Sequence, residues 1–91
     1  MSAAEKALAA LHNLGPQSAR MLCASGITNI DQLRSLGAVE CFLRVQTSQQ
    51  RPSLNLLWAI AGALHGCHWN RLPAELRSSL LLELDARRHP F

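Results

Sequence analysis

The residues best suited to do chemistry lie around one turn. Asn13-Leu14-Gly15-Pro16 is followed by Gln17, Ser18 and Arg20, and the chemistry such a set suits is anion binding. Proline is favoured at the first position of a helix, where its missing N–H costs nothing, so a helix is expected to begin at Pro16. Backbone N–H groups at a helix start point outward, and together with the helix dipole they attract phosphate. Gly15 permits a tight backbone turn into that helix, and the small Ala19 lets it pack closely on the helix before it. Contacts of this kind hold a DNA backbone without reading its sequence. Asn13, Gly15, Gln17, Ser18 and Arg20 are therefore the candidate nucleic-acid-binding residues.

The wider spacing, Leu8-x-x-Leu11-x-Asn13-Leu14-Gly15-x-x-x-Ala19-x-x-Leu22, resembles a helix–hairpin–helix. Two positions depart from that pattern. Asn13 stands where a first glycine is expected, although Asn tolerates left-handed backbone better than most residues. Gln17 stands where DNA-binding versions often carry Lys, which leaves Arg20 as the only basic residue near the turn in sequence. A hairpin kept only as a folding element is the alternative, because a fold does not imply a function.

Other constellations are weaker. His65, Cys67 and His68 lie close together, but there is no second ligand pair and Gly66 interrupts the helix between them. Structural zinc sites use paired ligands, four in all, so no metal is expected. Asp31, Glu40, Glu75, Glu83 and Asp85 show no pairing of an acid with a base. No nucleophile motif surrounds Cys23, Cys41 or Cys67, and no glycine-rich phosphate loop is present. The expectation is a binding module rather than an enzyme, with no cofactor and no small-molecule substrate. Trp58 is expected in the core. Trp69, in a turn, would anchor the last helix or join a contact surface, and core packing is favoured because large aromatics dominate small cores.

The elements that must position these residues are helical. The chain has 91 residues, enough for one domain over 1–91, and 48% are apolar. Leu and Ala supply much of that share, there is no Tyr, and Val occurs only at Val39 and Val45. So few β-branched and aromatic residues exclude a substantial sheet. The expected fold is all-α, a compact bundle of five to six short helices containing the hairpin. Ala4, Ala7, Leu8 and Leu11 make one apolar face of a first helix that stops near His12-Asn13. A second runs from Pro16 to about Ser25, with Gly26 as its stop. Thr28, with Asp31 three residues on, is close to a capping box for a third helix ending at Gly37. Ala38, Cys41, Phe42 and Val45 space out a fourth, and the polar stretch 46–51 before Pro52 is the best candidate for a mobile joint. A fifth helix, from about Ser53 to His65, is apolar on nearly every side and so should be central. A sixth starts at Pro73 and buries Leu76, Leu80 and Leu84.

Charge and cysteine content bound the partners. The formal net charge of +3 is mild and spread along the chain, apart from Arg87-Arg88. Three scattered cysteines fit thiols in a reducing compartment better than a disulfide framework. The longest apolar stretch, Leu56 to Leu64, falls far short of the ~20 residues that span a bilayer, and no leader pattern is present. A soluble, cytoplasmic protein without a membrane partner is expected. Two partner classes stay open: duplex DNA held by its backbone, and a protein, either another transcription regulator or a second copy of the chain.

Taken together, the residues resemble the C-terminal domain of the TfoX/Sxy family of bacterial competence regulators. The resemblance runs from about Leu11 to Asp85. It is carried by Asn13-Leu14-Gly15-Pro16 with Ser18, by Gly26-Ile27, by Asp31-x-Leu33 and by Leu36-Gly37-Ala38-Val39. Its strongest stretch is Pro52-Ser53-Leu54-Asn55-Leu56-Leu57-Trp58-Ala59, followed by Gly62-Ala63-Leu64, Trp69 and Leu72-Pro73. The resemblance implies a cytoplasmic bacterial protein with a helical, hairpin-containing fold and a regulatory role in natural transformation. It carries over no catalytic residues. Longer members of that family also have an N-terminal α/β domain that is not present in this sequence.

Overall fold

Capping and glycine placement set the helix boundaries. A computed structural model describes residues 2–11, 14–48 and 50–88. Ser2 caps α1 (Ala3–Ala9), its hydroxyl accepting from the Glu5 amide at 3.1 Å. Of the predicted apolar face, Leu8 is buried, Leu11 lies just beyond the helix and Ala7 is exposed. Helix α2 (Pro16–Ala24) begins with Pro16 in its first position, as its chemistry predicts.

Helix α3 (Ile30–Thr47) joins the two predicted helices on either side of Gly37 end to end. Gly37 has φ 82° and ψ 164°, a region essentially open only to glycine. A Cβ there would meet nothing within 4 Å, so the restriction is in the backbone and not in the space around it. The cap of α3 sits one residue later than expected. Asn29 accepts from the Gln32 amide at 2.9 Å, and the Gln32 side-chain oxygen reaches back to the Thr28 amide and hydroxyl. This is a reciprocal cap built on Asn29 and Gln32 rather than on Thr28 and Asp31.

Helix α4 (Leu54–His65) ends at Gly66 in the left-handed conformation, with the Cys67 amide donating to the Gly62 carbonyl at 3.0 Å. A short 3-10 turn (Trp69–Arg71) leads to α5 (Ala74–Arg88). Helix α1 packs on α2, α4 lies against α3 and the 3-10 turn, and α5 leans on α3. Leu56, Leu57, Ala59, Ile60 and Ala61 of α4 join Leu8, Ala19, Leu22, Leu33, Phe42 and Leu84 in one shared core, so α4 holds the central place its apolar surface requires. No polar or charged residue is buried among the described residues. The radius of gyration, 12.3 Å, equals the ~12 Å expected of a chain this long packed around one core.

The two tryptophans are less buried than their size predicts. Trp58 is half-buried beneath the guanidinium of Arg77, 5.6 Å from its ring centre. Trp69 is exposed at 41%. It anchors α5 through its backbone, its carbonyl accepting from the Arg77 guanidinium at 3.0 Å, so the indole is not needed for that contact.

Candidate nucleic-acid interface

The start of α2 is built as the sequence predicts in all but one respect. Leu14 is buried and tethers the turn from below, and fully buried Ala19 brings α2 against α1. Gly15 is the N-terminal cap residue, its carbonyl accepting from the Ala19 amide at 3.0 Å. Its φ of −98° and ψ of −178° are extended backbone that any residue adopts, and a Cβ would meet nothing within 4 Å. Gly15 is therefore not required by the bend. What it does is withhold a side-chain cap, so the amides of Gln17 and Ser18 receive none. Asn13 lies outside the described residues.

A second helix start faces the first. Gln17, Ser18 and Met21 of α2 and Arg51, Pro52, Ser53, Asn55 and Leu56 line one groove of about 340 Å³. Ser53 has the extended backbone of a cap residue at the start of α4, but its hydroxyl makes no capping hydrogen bond. Two helix starts without side-chain caps thus open on the same groove. Arg51 is exposed at its rim, and no carboxylate among the described residues pairs with Arg51 or lines the groove. The local electrostatics favour an anion on each count.

The approach of the two starts is fixed by a polar clasp. The Gln50 amide group has three acceptors in range of its two N–H bonds: the Met21 carbonyl at 3.0 Å, Ser25 Oγ at 3.2 Å and Ser48 Oγ at 2.8 Å. Ser25 in turn donates to the Met21 carbonyl at 2.9 Å, and Ser48 to the Val45 carbonyl at 2.8 Å. Of the segment 46–51, expected to be a mobile joint, Gln46 and Thr47 lie in α3 and Ser48 and Gln50 find backbone partners on α3 and α2, while Gln49 lies outside the described residues.

Of the sequence-predicted residues, the structure brings Gln17 and Ser18 into the groove. Arg20 is exposed on α2 without a paired carboxylate among the described residues, but it does not line the groove. Arg51, Ser53 and Asn55 were missed. Only Ser53 carried a signal, as a recognisable helix start after Pro52; nothing in the spacing places Arg51 and Asn55 beside α2.

Two of the thiols are shifted away from the reactive thiolate form. Burial pushes the Cys41 thiol up to about 11, and Cys23 is raised by burial and by the nearby Glu5 carboxylate. Among the described residues no group of three His, Cys, Asp or Glu side chains is arranged to hold a metal ion.

A family model described as the TfoX C-terminal domain matches residues 4–84. The chain is 33% identical over 66 residues to the DNA transformation protein TfoX1 of Aliivibrio fischeri, an alignment covering 71% of this chain and 32% of that protein. The chain thus spans about a third of the length of that relative. No solved structure matches. Among the described residues no helix is long and apolar enough to cross a membrane.

Proposed function

The chain belongs to the TfoX C-terminal domain family, and from that premise we propose that it is a regulatory module of DNA transformation, not an enzyme, that grips the DNA backbone. Gly15, Gln17, Ser18 and Arg20 of the hairpin supply the phosphate contacts, together with Arg51 from the facing loop, and the setting is the cytoplasm. The observation that carries this reading is the convergence of two helix starts without side-chain caps on a groove with an arginine and no carboxylate. The name of the relative, a DNA transformation protein, agrees with the role in transformation.

A salt titration of duplex binding tests the proposal. Each phosphate contact contributes about 0.9 to the slope of log affinity against log salt, so the parent should show a slope of about two or more. Gln17→Glu and Arg51→Glu place a carboxylate at the groove, and each should weaken binding and flatten the slope. Absence of duplex binding at low salt refutes it.

A second reading rests on a different surface. Leu82, 71% exposed, and Leu81, 41% exposed, lie on α5 away from the core. They favour a protein contact, with another transcription regulator or a second copy. Sedimentation at several concentrations separates the readings: mass that rises with concentration and collapses in Leu82→Glu supports the protein contact, and a monomer throughout counts against self-association.

A further inference from the structure

The groove does not stop at Arg51 and Gln17. A second cavity, about 250 Å³, is lined by Ser18, Asn55, Ala59 and Trp69. It shares Ser18 and Asn55 with the first, so the two cavities adjoin at these residues and together form one surface path. The chemistry changes along its length. Arg51 stands at one end, a hydroxyl and an amide, Ser18 and Asn55, lie in the middle, and the 41% exposed Trp69 closes the other end. No carboxylate lines either part.

We infer that this path takes a short stretch of single-stranded nucleic acid, with a phosphate against Arg51, a base stacked on Trp69, and Ser18 and Asn55 hydrogen-bonding between them. The inference rests on the nucleic-acid reading of the groove and deepens it by naming the form of the ligand. A basic groove combined with an aromatic platform is how single strands are held without sequence preference. A duplex uses only half of this equipment, because its base faces are already stacked on one another and cannot meet an indole. A neutral apolar peptide uses the other half and leaves Arg51 without a counter-charge.

The platform is held in place by the backbone. His68 begins the 3-10 turn, its ring nitrogen 2.6 Å from Asn70 Oδ1, and Arg77 of α5 donates to the Trp69 carbonyl at 3.0 Å. The turn therefore fixes the backbone that carries the indole, and the His68 ring lies 5.7 Å from it at a tilt.

Fluorescence tests the inference with the full chain. Trp58→Phe leaves Trp69 as the only tryptophan of the two. A thymidine oligonucleotide of about ten nucleotides, within the span a small domain covers, should quench its emission, and a duplex of similar length should quench it much less. Trp69→Ala should weaken single-strand binding roughly tenfold, and Trp69→Phe should recover most of that loss, as stacking requires. Arg51→Gln should lower the single-strand salt slope by about 0.7. Quenching in the tryptophan-reduced chain does not depend on whether Trp69→Ala folds. Unchanged emission on single-strand binding overturns the inference, as does equal affinity in Trp69→Ala. Binding of the duplex with none of the single strand overturns this inference and leaves the backbone reading standing. Binding of neither overturns both.

Discussion

Arginine sits on both margins of the core and meets different company on each. At the α3–α5 seam every arginine has a partner. Arg44 and Arg87 both bond Glu40, Arg87 also lies 3.9 Å from Glu83, and Arg88 lies over the Phe42 ring at 5.7 Å. At the α2–α4 groove, Arg51 has no carboxylate among the described residues. A net charge of +3 therefore says little about where positive potential lies. Carboxylates pair with two of the three seam arginines, whereas the groove arginine has none among the described residues. The seam arginines fasten a helix whose own burial is thin, since Leu80 and Leu84 are its only buried residues among those described. Those at the groove contribute nothing of that kind.

The largest expected effect tests whether the two margins hang on one core. Leu57 of α4 is fully buried in the shared cluster. Leu57→Ala should cost about 3 kcal/mol of stability in urea unfolding, by lost burial and a residual cavity. Both margins should fail in one transition. Two separate transitions, with α5 melting on its own, would break the comparison by making the seam an independent unit. Leu82→Ala, at a 71% exposed position, should change stability by less than about 0.5 kcal/mol.

A somewhat smaller effect is expected at Gly37, which sets the direction in which α3 delivers Glu40 and Phe42 to the seam. Gly37→Ala forces an L-residue into φ 82°, ψ 164° and should cost about 1–3 kcal/mol. Gly37 does not line the groove, so nucleic-acid affinity measured well below the unfolding transition should stay within about twofold of the parent. A large loss of affinity at full folding would show that the kink also shapes the groove.

These two positions mark how far the sequence was legible. Gly37 was readable as a stop between two helices, because a helix-breaking residue between two periodic apolar stretches has one simple meaning. That the stretches abut without a loop depends on a single backbone conformation, which no spacing encodes. The all-round apolar character of residues 54–64 placed α4 at the centre correctly, since burial follows directly from composition. Within the site, Gln17 and Ser18 were found because the hairpin is local. Arg51 and Asn55 were not, because their proximity to α2 is a tertiary fact created by the Gln50 clasp. The role assigned to Gly15 failed for a different reason: a glycine signals conformational freedom in sequence whether or not the backbone uses it. Trp69 was weighted towards the core by its size alone, whereas its anchoring contact is made by its carbonyl.

Exchanging the two kinds of arginine sharpens the contrast further. Arg51→Gln should leave stability within about 0.5 kcal/mol of the parent and should lower duplex affinity several-fold at low salt, the cost of one phosphate contact. Arg87→Gln should do the reverse, costing about 0.5–1 kcal/mol of stability, as exposed pairs do, with affinity unchanged. If both substitutions act on stability alone, the distinction between the margins is structural decoration and the groove loses its claim to a ligand.

The smallest expected effect is a pH dependence confined to the seam. Hydrogen bonds from Arg87 first, and from Arg44, hold the Glu40 carboxyl below its ordinary value of 4.5. A group depressed in the folded state stabilises the fold above its unfolded value and loses that contribution as pH falls through the folded one. At neutral pH, therefore, Glu40→Gln should be less stable than the parent by under about 1 kcal/mol, because the pair is solvent-screened. Below about pH 4.5 the gap should narrow, and it should go on narrowing as pH falls through the depressed folded value, where the parent carboxyl takes up its proton. The groove has no carboxylate in its lining, so nothing there titrates with Glu40. A gap that does not narrow as pH falls below 4.5 would mean that Glu40 acts by packing rather than by charge, and the seam and the groove would then differ in shape more than in electrostatics.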